Sequence, residues 1–401
     1  MINLINKIPL SIWVIGFSSL LINISSVMVF GVAALYVKQI LGVSTGLVLF
    51  LEGFFEAISY ALKLFSGIIS DYLRRRKSVM IWGLVLFTLA RPIMALFTSV
   101  TAVLSARLLD RVGNGLQSTP RDALVSDLAP SGAKGACFGL RQSLAVAGSF
   151  IGGAIGIWCM VATNQDFQAI FMYATIPAVL GLLLAIFLAK DPDVKEVSAS
   201  KKPLRHPIRL SDLKRLGKSY WILMGIALVF TTTRVGESVL VLHATESFNM
   251  DQSYSHAIIM LYNGANSVCS YPIGYLSDRF GRYGFLGLSF AILILADGFL
   301  GFATDLTTMM IGVGLWGIQI GMSQSMFLSL IADHVPKDLR GTGIGFFYLI
   351  SSVALLSAGL IGGTVANLYS QFATFIVSGT IGLLALLMLA AFYKNLQGHH
   401  R

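Results

Sequence analysis

The chain has 401 residues, of which 55% are hydrophobic and only 12% charged, and its net charge is +10. A mean hydropathy of +0.77 is far above that of soluble domains, which excludes a soluble enzyme or nucleic-acid-binding domain as the reason for the positive charge. Because ~20 apolar residues cross the ~30 Å of hydrocarbon in a bilayer, this length has room for about a dozen helical spans.

Apolar runs predict spans over residues 10–37, 45–70, 78–98, 101–125, 135–161, 168–189, 219–243, 254–276, 284–303, 306–331, 341–366 and 372–393. None alternates apolar and polar residues, so a transmembrane barrel is excluded and helices alone satisfy the backbone in lipid. The predicted fold is all-α and polytopic, with 12 transmembrane helices in two six-helix bundles. The first run follows Lys7 and is too long for the apolar core of a signal peptide, so it is expected to remain as span one.

Each ionisable residue inside a span costs ~2.5–3.5 kcal/mol on insertion scales and needs a partner or a wet cavity. Span two carries Glu52, Glu56 and Lys63 at spacings of four and seven, one stripe of a helix turned away from lipid. Glu52 and Glu56 are therefore candidate proton carriers. Span three holds Arg91, which needs an acidic partner. Span four has the longest polar stripe, with Arg107, Asp110, Arg111, Asn114 and Arg121 on one side. Asp110, Arg111 and Asn114 are candidates for a substrate or proton site, although a static ion-pair network is the competing reading. Arg141 in span five is expected at the inner end, as a gate or loop contact.

The stretch from Lys190 to Lys218 is the one long polar interruption, rich in Lys, Arg and Pro. It predicts bundles at 1–190 and 219–401 joined by a cytoplasmic linker at 191–218. Span seven holds Arg234 and Glu237, three residues apart and able to satisfy each other. His256 in span eight and Asp297 in span nine are expected near the outer boundary, in contact with water. Span ten has a milder stripe of Trp316, Gln319 and Ser323. Cys137, Cys159 and Cys269 have no metal-ligand spacing and read as packing residues. No metal or cofactor site is expected.

With span one starting inside, most Lys and Arg fall on one side of the membrane and Lys38 alone on the other. This asymmetry places both termini in the cytoplasm of a bacterial inner-membrane protein. The halves also repeat each other. Asp127, Pro130, Lys134, Gly135 and Gly139 recur 206 positions later as Asp333, Pro336, Arg340, Gly341 and Gly345. Both copies start on the same side, so the repeat is parallel and a substrate site is expected between halves.

These residues resemble the major facilitator superfamily. Its cytoplasmic loop motif, G-x-x-x-D-R-x-G-R-[RK], reads here as Gly274, Asp278, Arg279, Gly281 and Arg282, departing only at Tyr283. The first-half copy keeps Gly67, Asp71, Arg75 and Arg76, with Tyr72 for the first Arg and Arg74 for the Gly. In span four, Arg107, Asp110-Arg111, Gly113 and Gly115 resemble R-x-x-Q-G-x-G-x-G. The segment Pro120-Arg121-Asp122 is similar to that of a bacterial group of presumed efflux permeases. In span five, Gly148, Gly152 and Gly156 resemble an antiporter pattern, with Gly153 in place of its proline.

The resemblance implies alternating access, with loop aspartates Asp71 and Asp278 bracing the halves. It also implies that Arg75 pairs with Asp122 or Asp127 and that Arg107 takes part in proton coupling. The function expected is proton-coupled export of a small organic solute by a monomer in the lipid bilayer, with no nucleic-acid partner and no enzymatic step. The alternatives are a proton symporter importing an anionic or zwitterionic nutrient, and a metal-ion exporter.

Overall fold

The computed structural model describes residues 8–73, 75–130, 134–190, 215–336 and 339–397. Among them every regular element is helical. In chain order these are α1 (Leu10–Gln39), α2 (Thr45–Leu73), α3 (Arg76–Leu96), α4 (Val100–Leu128), α5 (Lys134–Ala162) and α6 (Phe167–Leu188). Then follow α7 (Lys218–Thr231), α8 (Ser238–Ser247), a 3₁₀ turn (Gln252–Tyr254), α9 (Ser255–Phe280), α10 (Arg282–Gly301), α11 (Leu306–His334), α12 (Arg340–Leu368) and α13 (Gln371–Gln397).

Eight of these helices are long and apolar enough to cross a membrane on that criterion alone. Helices α2 and α4 have the length but carry the buried charges that lower their hydropathy, and α9 is rich in Ser, Asn and Tyr. Helices α7 and α8 together form span seven, which completes the twelve. Contrary to the continuous helix expected over 219–243, that span is broken across residues 232–237. The local sequence favours the break: Thr232, Thr233 and Val235 are β-branched and Gly236 follows them, so four of its six residues are poor helix formers.

The repeat is visible in the helix bounds. Helices α4 and α5 both start and end 206 positions before α11 and α12. Asp166 and Asp305 cap the helices that follow them, α6 and α11. Gly281, at the turn from α9 to α10, has φ of +100°, a conformation that side chains resist and that explains the loop-motif glycine.

The chain divides into two compact units, residues 1–33 with 58–207, and 34–57 with 208–401. The first is held by an apolar core that includes Ile12, Ile15, Leu84, Phe87 and Leu124. The second stacks Phe230 on Phe290, with ring centroids 4.0 Å apart and Phe327 beside them. Segment 34–57 joins the second unit because its glycines admit backbone contact. A Cβ on Gly53 would lie 2.6 Å from Gly359 Cα of α12. Gly46 N–H donates to Asn367 Oδ1 at 3.0 Å, Ser352 donates to the Ala57 carbonyl at 2.7 Å, and Lys38 pairs with Glu246.

Candidate functional site

In the first unit, α3 and α4 touch through glycine. A Cβ on Gly113 would meet Phe87 N at 2.5 Å, and one on Gly83 would meet Gln117 N at 2.6 Å. This backbone approach brings Arg91 of α3 against Asp110 of α4, where the two form an ion pair. Arg91 is 1% exposed and Asp110 7%. The guanidinium has further supports: Nη1 also donates to the Phe87 carbonyl at 2.8 Å, Nε donates to Ser25 Oγ of α1 at 3.1 Å, and the group lies 3.4 Å from the Phe87 ring centroid.

Two further arginines share this buried region. Arg111 Nε is 3.9 Å from Asp110 Oδ2, and its guanidinium is 5.0 Å from the Phe30 ring centroid, with that of Arg107 at 5.7 Å. Both are buried. Two guanidiniums thus face the Asp110 carboxylate, with that of Arg107 nearby, and the Phe30 and Phe87 faces supply part of the stabilisation. Asn114 continues the stripe and is half-buried. The sequence places Arg91, Arg107, Asp110 and Arg111 within spans, but their aromatic and hydroxyl supports, Phe30, Phe87 and Ser25, carry no charge and give no signal of their own.

Glu52 and Glu56 belong to the other unit. Glu52 is 6% exposed and packs on the span-seven break, since a Cβ on Gly236 would lie 3.0 Å from Glu52 Cβ. Arg234 and Glu237 flank that glycine and are half-buried. The break therefore gathers Glu52 of α2 with the two charged residues of span seven. Lys63, farther along α2, turns back over the Tyr60 ring at 3.8 Å.

At the helix ends that flank the loop motifs the expected partners are revised. Asp127 pairs with Arg76, Nε to Oδ2 at 2.8 Å, whereas Arg75 immediately precedes α3, makes no side-chain capping bond and is exposed. The second half has the counterpart pair, Arg282 with Asp333, and each of its members lies 206 positions after its partner in the repeat. The periodic offset was the signal that selects Arg76 over Arg75. Asp122 instead meets Arg121 at 3.2 Å and Arg141 at 3.6 Å. Gly67 serves the α2–α4 contact, its added Cβ falling 3.0 Å from Thr119 Cγ2. The side chains of Asp71, Asp278 and Arg279, and the surroundings of Gly274, lie outside the described residues.

Two further expectations are corrected. Asp297 is 1% exposed rather than wet, because Trp316 and Ser378 close over it. His256 is likewise fully buried at the start of α9. Among the described residues no group of His, Cys, Asp and Glu has metal-binding geometry.

Twelve helical spans in two related sets, with charge concentrated in buried clusters, define a polytopic membrane transporter. The chain matches the Major Facilitator Superfamily over residues 15–243 and again over 222–400, and it belongs to that superfamily. It is therefore a transporter and not an enzyme. An uncharacterized MFS-type transporter of Methanocaldococcus jannaschii is 26% identical over 388 residues, 94% of each chain. The gentisate transporter of Corynebacterium glutamicum is 23% identical over 344 residues, 82% of this chain and 75% of that one. A solved D-xylose-proton symporter shares the fold with a TM-score of 0.72 at 17% identity, covering 94% of this chain and 96% of that one.

Proposed function

We propose that the chain is a proton-coupled symporter that takes up a small organic anion or zwitterion by alternating access. The observation that carries this reading is the buried cluster of guanidiniums formed by Arg91, Arg107 and Arg111 beside Asp110. Asp110 holds Arg91, and the guanidiniums of Arg107 and Arg111 beside them are the groups that recognise a carboxylate on the cargo. A purely cationic cargo is disfavoured there. Glu52, Glu56, Arg234 and Glu237 around the span-seven break are the coupling groups.

Direction follows from the sign of the cargo. An anion leaves an inside-negative cell with ~2.3 kcal/mol of assistance per 100 mV, so protons are needed to bring it in rather than to expel it. The span-five glycines that resemble an antiporter pattern have a packing explanation. A Cβ on Gly152 would meet the Ile24 carbonyl of α1 at 2.6 Å, and one on Gly148 would strike the Leu20 carbonyl. The protein acts as a monomer in the inner membrane of a bacterium, with its termini inside.

Right-side-out vesicles test the reading, with radiolabelled gentisate as first probe and a panel of aromatic and aliphatic carboxylates beside it. An outside-acid gradient is expected to drive accumulation that a protonophore abolishes and Arg111→Gln reduces at least tenfold, a loss of about 1.4 kcal/mol in transition-state binding. Efflux of the same probes under that gradient would instead establish export.

A further inference from the structure

The 206-residue offset sets Arg91 opposite Asp297 and Asp110 opposite Trp316. Each pair is in contact in its own half. Arg91 donates to Asp110, and Trp316 Nε1 donates to Asp297 Oδ1 at 3.0 Å. The repeat thus keeps one buried contact between the third and fourth helices of each half. It has moved the acid to the other helix and replaced the guanidinium by a neutral indole.

Asp297 consequently has neutral neighbours. Its other hydrogen-bond partner among the described residues is Ser378 Oγ of α13 at 2.6 Å, and no Lys, Arg or His among them lies within ion-pair distance. A carboxylate buried without a compensating cation is costly, whereas the neutral acid is not. The count of hydrogens agrees. Ser378 Oγ lies 2.6 Å from Asp297 Oδ2 and 3.0 Å from the Thr233 carbonyl, and its one hydrogen serves one acceptor. With a hydrogen on Asp297 Oδ2, that hydrogen goes to Ser378, the Ser378 hydrogen goes to Thr233, and the Trp316 N–H goes to Asp297 Oδ1. Every donor then has its acceptor.

Other titratable groups stand on the packed elements, among them His256, buried at the start of α9 about two turns before Tyr262. His243 of α8 sets Nε2 3.2 Å from the Leu300 carbonyl, one turn along α10, and Tyr262 of α9 stands behind Trp316 with centroids 6.2 Å apart. Arg282, Tyr283, Asp333 and His334 pair with one another at the opposite end of α10, roughly 20 Å away along the helix. Arg234 and Glu237 lie in the break that begins beside Thr233. Ser378 also borders a small cleft, about the size of one water, lined by Thr232 and Thr374 among others.

We propose that Asp297 is a proton-binding site of the second half, holding an exchangeable proton that passes through Ser378 to the cleft at the span-seven break. Its part in the transport cycle rests on the proton-coupled reading above, but its test needs no cargo. Infrared spectra of the full chain in liposomes are recorded through a change from H₂O to D₂O. A carboxylic-acid C=O band is expected that moves on deuteration, vanishes in Asp297→Asn, persists in Asp110→Asn and shifts in Asp297→Glu. Ser378→Ala is expected to slow the exchange several-fold. Labelling aspartate side-chain carboxyls with ¹³C in the unsubstituted protein assigns the band to a protonated aspartate without any variant having to fold, and Asp297→Asn and Asp297→Glu then identify which. Absence of the band, or its persistence unchanged in Asp297→Asn, overturns the proposal. A band present without gradient-driven uptake removes the symport reading and leaves the proton site standing.

Discussion

Asp110 and Asp297 show how one residue type takes two roles according to its neighbours. Asp110 faces guanidiniums and acts as the anchor of α4 on α3, so its removal leaves Arg91 buried without its acid. Removing one partner of a buried ion pair costs about 3–5 kcal/mol, while replacing both by apolar groups is often tolerated. Asp110→Asn is therefore expected to lower the thermal unfolding midpoint in detergent sharply. The double change Arg91→Met with Asp110→Leu is expected to recover more than half of that loss. Equal midpoints for Asp110→Asn and the unsubstituted protein would show that the pair contributes nothing to holding the helices. The sequence identified Asp110 and Arg91 separately, but charge alone does not tell which acid an arginine reaches. That choice is made by Gly83 and Gly113, two residues without side chains.

Among the elements, α2 is divided in its allegiance. Its inner part packs on α4, where Thr119 donates to the Lys63 carbonyl at 2.8 Å and Ser66 to the Gly115 carbonyl at 3.1 Å. Its outer part packs on α12 through Gly46, Gly53, Gly359 and Gly363. The atoms a side chain at Gly53 would meet are backbone, Gly359 Cα at 2.6 Å and the Leu355 carbonyl at 2.8 Å, so no rotamer change relieves the overlap. Overpacking typically costs 1–3 kcal/mol even where side chains can yield. Gly53→Val is expected to destabilise by at least that much. Gly139→Ala, in a helix position with open space around it, is expected to stabilise by about 0.5–1 kcal/mol. Thermal unfolding of the two variants side by side checks both signs, and a neutral Gly53→Val would mean that α2 and α12 do not meet closely. Hydropathy sees α2 as a span but not this division, because a glycine reads the same whether it faces a helix or nothing.

The whole molecule is where the sequence is most legible. Span number, the parallel repeat and the 206-residue offset are periodic properties of a one-dimensional string, and the helix bounds of α4, α5, α11 and α12 follow them. What was not legible is where the copies exchange chemistry, as at Arg91 and Asp297, and where span seven breaks at its threonines. The repeat also makes a functional prediction about its conserved contacts. Arg76 with Asp127 and Arg282 with Asp333 are equivalent pairs at corresponding helix ends, each partly exposed. Ion pairs in such positions are worth only ~0–1 kcal/mol to stability, so thermal unfolding should scarcely register their loss. Their retention in both copies therefore points to the conformational cycle rather than to the fold. Asp127→Asn and Asp333→Asn are each expected to lower the transport rate at least tenfold with unfolding midpoints nearly unchanged. The charge exchange Arg76→Asp with Asp127→Arg is expected to restore a substantial part of the rate, since the attraction survives the reversal. Measured as initial uptake in vesicles of matched protein content, a charge-exchanged protein as slow as Asp127→Asn would show that the residues act singly, through other partners, and not as a pair.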